Sequence, residues 1–336
     1  MQVLIIGAAG MIGRKLTDAI LRDPVIGDRR VDALHLADVI APVPPASVPR
    51  ASDSVRITTS TTDLTDPDAV HALIAPRPEV IFHLAAVVSG QAETDLEIGL
   101  AVNLDGTRNI LDAIRQTGAG YCPRFVFTSS LAVFGSPLPD VIPDDFAPNP
   151  RTSYGAQKLI GEILVSDLSR RGLLDGISLR LPTICIRPGA PNAAASGFFS
   201  GILREPLSGL PAALPVDPET RHWFAGPRGA VGLLLHAAGV DTAPLGHRRA
   251  LNLPGISATV ADQIAALERV AGPRAVALIR PQPDPLVHQI VSAWPRAFAP
   301  ERALSMGFTA ETSFDQIIAA HIEDELGGTL PVHDPQ

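Results

Sequence analysis

The chain has 336 residues, 46% of them hydrophobic and 18% charged, with a formal net charge of −8. That much apolar material supports a sizeable core and excludes global disorder, and the acidic balance, without any Lys/Arg run, argues against nucleic acid as a partner. The two cysteines, Cys122 and Cys185, lie in no Cys/His cluster of metal-ligand spacing, and no apolar stretch is long enough to span a bilayer, so the expectation is a cytoplasmic protein with buried thiols, no metal and no membrane contact.

Residues 2–6 read as a buried strand and 11–22 as an amphipathic helix. "ALHLAD" (33–38) and "SVRITT" (54–59) are the next two strands. Asp66-Pro67, a cap followed by proline in the first turn, opens a helix near 67–75. "EVIFHLAA" (79–86) is a strand, and one long helix is expected from about 95 to 117. "RFVFTSS" (124–130), a helix over about 152–171 and "SLRLP" (178–182) follow. This alternation predicts an α/β fold, a doubly wound parallel sheet of the Rossmann type, whose strands are covered on both faces and so read as apolar runs. Residues 186–228 are rich in Gly, Pro and Ala and break the rhythm. A helix near 228–239, a strand at 250–254 and helices at 258–271 and 312–326 close the chain.

Gly7, Gly10 and Gly13 follow the first strand and open the first helix. The first permits a tight turn, the second a close approach of pyrophosphate, the third close packing of helix on strand. Met11 and Ile12 belong to the same turn, whose free N–H groups suit phosphate. Asp38 ends the second strand, where a carboxylate accepts from both ribose hydroxyls and repels a 2′-phosphate; the cofactor expected is NAD rather than NADP. Asp63 and Leu64 end the third strand, where an adenine edge would lie. On this basis 1–185 form an NAD-binding domain to which 228–256 return, and 186–227 with 257–330 form a smaller C-terminal substrate-binding lobe.

"TSYGAQK" places Tyr154 and Lys158 four residues apart on one helix face. A lysine ammonium beside a phenol lowers its pKa and makes it a base able to take a proton from an alcohol. Ser130 ends the fifth strand, at the carboxyl edge where ligands bind in such sheets, and is placed to orient the reacting oxygen.

The ordered set "GAAGMIG", "DLTD", "VIFHLAA", "VNLDGT", "TSSLAVFG", "SYGAQK" and "LRLPTICIRPG" resembles the extended short-chain dehydrogenase/reductase superfamily over nearly the whole chain. The resemblance implies catalytic roles for Ser130, Tyr154 and Lys158. It places Leu84, Ala85, Ala86 and Pro182 beside the nicotinamide, and it implies a homodimer built on the helices near 95–117 and 152–171. Asn103, in "VNLDGT", matches a position with at least a partly structural role.

The sequence departs from the sugar-nucleotide enzymes of that superfamily. His222 stands where they carry an acid, Phe134 where they carry tyrosine, and aromatics make up only 4%. The stretches "RLPTICIRPGAPNAAASGFFSGILREPLSG" and "HWFAGPRGAVGLLLHAA" are similar to those of members that oxidise the 2-hydroxyl of a four-carbon sugar acid. A small carboxylate needs a cation or several donors in a closed pocket. Arg221 and Asn192 are the expected substrate residues beside Ser130 and Tyr154, with Arg187, Arg204 and Ser196 as further candidates. Two other readings stand against this one: a sugar-nucleotide epimerase or dehydratase, and a non-catalytic NAD-responsive binding protein.

Overall fold

A computed structural model describes residues 1–45, 55–189 and 196–330. Seven strands form one sheet: β1 (Gln2–Ile6), β2 (Ala33–Asp38), β3 (Arg56–Thr61), β4 (Val80–His83), β5 (Arg124–Ser130), β6 (Asp175–Leu181) and β7 (Ala250–Asn252). They lie in the order β7-β6-β5-β4-β1-β2-β3, every neighbouring pair parallel. The chain winds outward from β1 to β3, then restarts at β4 on the other side, so a crevice opens between the carboxyl ends of β1 and β4.

Helices α1 (Met11–Arg22), α2 (Pro67–Ile74), α3 (Gly106–Gln116), α4 (Ser153–Arg170), α5 (Gly197–Leu207), α6 (Pro227–Gly239), α7 (Val260–Ala271) and α8 (Phe314–Glu325) surround the sheets. Leu16 and Ile20 of α1 pack with Val231 and Leu234 of α6 on one face of the main sheet. Val70 of α2, Ile110 of α3 and Val165 of α4 cover the other. Both faces are thereby buried, which accounts for the unbroken apolar runs of β1, β4 and β5. The Asp66 carboxylate accepts from Asp68 N and Ala69 N, the cap the sequence signalled.

The long helix expected over 95–117 is present, with a π-helical turn in its middle. Leu96–Gly99 is α-helical, Leu100–Asp105 is a π-helical turn, and α3 follows. The extra residue per turn turns Asn103 inward. Its Oδ1 accepts from Val87 N (2.9 Å) and its Nδ2 donates to Gln157 Oε1 (2.8 Å), tying the loop after β4 to α4.

A second, three-stranded sheet pairs Thr183–Ile184 with Arg221–Ala225 and Ile256–Thr259. With α5, α7 and α8 it encloses a separate core around Phe199, Leu203, Phe224 and Ile318. This sheet takes in Thr183–Ile184 and Ile256, which the sequence assigned to the first domain. Ala303 and Phe308, assigned to the lobe, instead pack in the main-sheet core. Where the chain crosses back there, Arg302 donates to the carbonyl of Ala250 on β7. Cys185 is buried as expected, whereas Cys122 is exposed. Among the described residues no helix is long and apolar enough to cross a membrane.

Candidate active site

The turn between β1 and α1 is built on close backbone approach. Gly7 has φ +93°, and a Cβ there would stand 2.6 Å from Ala85 N. A Cβ on Gly13 would overlap the Gly7 carbonyl oxygen and come within 2.7 Å of Ala8 Cα. Neither neighbour is a side-chain end that could swing aside. Gly13→Ala is therefore expected to lower stability by about 1–3 kcal/mol and to weaken dinucleotide binding, as read by chemical denaturation and by NAD titration of the folded fraction.

Helix α4 approaches β5 just as closely. Thr152 caps it by accepting from Gly155 N (3.1 Å), and a Cβ on Gly155 would overlap the Ala132 carbonyl. Gly161 lies against the Phe127 ring. This contact carries Tyr154 and Lys158 to the carboxyl end of β5, where Ser130 waits.

Two cavities meet at that point. The inner one, about 400 Å³, is lined by Gly7, Gly10, Met11, Ile12, Gly13, Leu84, Ala86 and Lys158 among others. The outer one, about 430 Å³, is lined by Arg151, Thr152, Thr183, Phe134, Trp294 and Pro295 among others. Val88, Ser130, Tyr154, Pro182 and Arg187 line both and form a shared wall. The Ser130 Oγ accepts from Ala132 N (3.1 Å), so its own proton is left to donate into the cavities.

The inner cavity fits an adenine dinucleotide. The N-terminus of α1 has no side-chain cap and no acidic residue in its first turn, so its N–H groups and positive pole remain open to phosphate. Lys158 is only 2% exposed, and among the described residues no carboxylate pairs with it. Glu162, one turn further along α4, could have done so. It is instead held by Arg180 (Nη2–Oε2 2.8 Å) and by Ser129, whose Oγ donates to Oε1 (2.5 Å). A buried ammonium left without an acid calls for a ligand with acceptor oxygens, such as ribose hydroxyls.

The other expected cofactor residues are less direct. Asp38 lines neither cavity; its carboxylate accepts from Ala9 N (2.9 Å) and Ile40 N (3.3 Å), fixed against the glycine turn. Ala85 lies beneath Gly7. Asp63 closes a turn by accepting from Thr65 N, and Leu64 is buried in the core under Gly106.

Electrostatics differ from the sequence expectation. Burial pushes the Tyr154 phenol up to about 12, and the charge that opposes this is the Arg187 guanidinium, not Lys158. The Lys158 ammonium stands 5.6 Å from the Tyr154 ring centroid and 5.0 Å from that of Phe127, and burial lowers its pKa to about 8.

Of the expected substrate residues, Asn192 lies outside the described residues. Arg221 is exposed, donates to Ser257 O and lines neither cavity. It begins the strand Arg221–Ala225 at its solvent end, while the next residue, His222, turns into the lobe core, stacks on Phe199 and bonds Thr183 Oγ1. Arg204 lines the inner cavity, but it pairs with Glu205 and donates to the Arg187 carbonyl. Arg151, Thr183 and Trp294 were not foreseen in the outer cavity. Two local signals existed: Arg151 immediately precedes "TSYGAQK", and Trp294 is one of only two tryptophans.

Comparison with known proteins places this geometry in context. Residues 3–217 match the model of the NAD dependent epimerase/dehydratase family. The chain is 47% identical over 328 residues to a D-erythronate dehydrogenase of Cupriavidus necator, covering 96% of this chain and 98% of that one. It is 39% identical over 326 residues to a D-erythronate dehydrogenase of Haemophilus influenzae, covering 97% and 100%. A crystal structure described as a nucleoside-diphosphate-sugar epimerase from Agrobacterium tumefaciens superposes with a TM-score of 0.93 at 55% identity, over 98% of this chain and 96% of that one.

Proposed function

The chain belongs to the NAD dependent epimerase/dehydratase family, and from that premise we propose that it oxidises the 2-hydroxyl of a small sugar acid, D-erythronate foremost, to the corresponding 2-oxo acid. The observation that carries this reading is the shared wall: Ser130 and Tyr154 face both cavities at once, with Lys158 behind them in the inner one alone.

When bound in the inner cavity, oxidised NAD would supply the hydride acceptor and a further positive charge beside the phenol. The chain's own groups do the rest. Ser130 donates to the substrate oxygen and holds it. Tyr154 takes the hydroxyl proton as the carbinol is oxidised. Lys158 holds the ribose, and the Arg187 charge favours the phenolate. Leu131, Phe134, Pro182 and Trp294 line the outer cavity and keep bulk water from the reacting carbon. Asp38, at the flank of the glycine turn, favours NAD over NADP. A homodimer is supported by exposed Leu96, Ile160 and Ile163 on the helices expected to form its seam.

A second reading, sugar-nucleotide epimerisation, draws support from Phe134 and Trp294, since aromatic faces in the outer cavity suit a stacked base. The two separate cleanly in an NADH absorbance assay. Sodium D-erythronate with NAD is expected to give stoichiometric NADH, and UDP-glucose none. Interconversion of a nucleotide sugar without net NADH, together with silence on sugar acids, would sink the first reading.

A further inference from the structure

We propose that Arg187 is the residue that recognises the substrate's carboxylate and so makes the enzyme select 2-hydroxy acids over neutral alcohols. The inference rests on the acid-oxidising function proposed above.

Connectivity within the substrate sets the requirement. In a 2-hydroxy acid the carboxyl carbon is bonded directly to the carbon that is oxidised. A cation that binds the carboxylate must therefore stand on the shared wall beside Tyr154 and Ser130. It cannot sit at the far end of the outer cavity, and it cannot lie wholly within the inner one.

The cations near the site sort themselves by that requirement. Lys158 and Arg204 line the inner cavity only, and Arg204 is already paired with Glu205. Arg151 lines the outer cavity only; it is exposed, and its Nε donates to Ser136 O (3.0 Å). Arg221 lines neither. Arg187 alone among the described cations lines both.

Its backbone is fixed from two sides. Arg187 N donates to Ser200 Oγ (3.0 Å), and its carbonyl accepts from Arg204 Nη1 (2.8 Å). The side chain is steered by Nε, which donates to Ile184 O (3.3 Å). Among the described residues no carboxylate pairs with this part-buried guanidinium, although a buried Arg–Glu pair, Arg180–Glu162, lies within the same fold. Its charge also reaches the phenol, opposing the effect of burial on Tyr154. A guanidinium presents a planar fork that matches a carboxylate in two parallel hydrogen bonds. A neutral alcohol in the same place would leave the cation desolvated and unmatched, which penalises it relative to the acid.

The test compares wild type, Arg187→Met and Arg187→Lys as full-length enzyme at saturating NAD, with sodium D-erythronate and its neutral amide, D-erythronamide. The expected result is a fall of roughly 100- to 1,000-fold in the acid-to-amide ratio of kcat/KM for Arg187→Met, carried mainly by KM for the acid, and a smaller fall for Arg187→Lys. NAD titration checks that each variant retains its inner cavity, and Arg187→Gln replaces the Met variant if that one does not fold. An unchanged acid-to-amide ratio overturns the proposal, whether activity persists on both substrates or falls equally on both. If wild type oxidises the acid and the ratio does not move, this inference alone fails. If wild type oxidises no 2-hydroxy acid, the functional reading fails and takes this inference with it.

Discussion

Tyr154→Phe is expected to lower kcat by roughly 1,000-fold while leaving NAD affinity and folding stability nearly unchanged. The substitution removes one oxygen and nothing else. Among the described residues no hydrogen bond is made to that hydroxyl, so its loss strands no internal partner. The ring itself keeps its place between the two cavities. The phenol of the ligand-free protein is held up at about 12 by burial. In the proposed mechanism it becomes a useful base when positive charge gathers beside it, from Arg187 and from bound NAD. A variant that turned over at near wild-type rate would remove Tyr154 from the chemistry. A variant that also lost NAD binding or melted early would show that the side chain has a packing role the structure does not indicate. Initial rates, NAD titration and a urea melt on the same preparation distinguish these outcomes.

Lys158→Met is expected to have two effects of opposite sign. Activity should fall at least about 100-fold, with a rise in KM for NAD. The ligand-free protein should nevertheless become more stable at neutral pH, because an unpaired ammonium that is 2% exposed is replaced by an apolar side chain of similar length. Folding lowers the Lys158 pKa from 10.5 to about 8. Below about pH 8 the group is protonated in both states, and the folded state carries the full burial cost, on the order of 3 kcal/mol. Between about 8 and 10.5 the folded protein gives up the proton while the unfolded chain keeps it, so wild-type stability rises with pH and the gap to the Met variant closes. His83 on β4, which burial and the Lys158 charge hold down to about 3, does not titrate across that window. Melting curves of both proteins at a series of pH values check the sign. A Met variant less stable than wild type at pH 7 would mean that Lys158 has an acid partner after all.

The sheet and the glycine turn after β1 were legible in the sequence because each is a local pattern. Apolar runs separated by helical periods give β1, β2, β4, β5 and β6, and three glycines after a strand give the tight turn into α1; β3 is polar and largely exposed, and its expected span 54–59 falls two residues early. Tyr154 and Lys158 were visible for the same reason, as two chemical residues on one helical face. What the sequence did not show depends on contacts across the fold. The π-helical turn at Leu100–Asp105 has no compositional signature, and the bonds it allows Asn103 to make to Val87 and Gln157 join segments far apart in the chain. Arg221 looked as good a carboxylate ligand as Arg187. Only the tertiary arrangement shows that the first begins its strand in solvent, while the second lies between two cavities. Trp294 joins the outer cavity from more than a hundred residues beyond Tyr154, and no spacing rule links the two. The expected influence of Lys158 on the phenol came from helical adjacency, whereas the influence of Arg187 on it comes through space.

The five-residue partition between the cavities also bears on how such proteins diverge. Residues of the inner cavity come largely from the turn after β1 and the carboxyl ends of β4 and β5, whereas those lining only the outer chamber come, Ser89 apart, from segments after β5. Mutation can therefore reshape the outer chamber while the redox apparatus stays intact. A sugar acid and a nucleotide sugar become alternatives separated by a few side chains, and a duplicated copy could drift from one to the other without passing through a form that has lost its oxidising power.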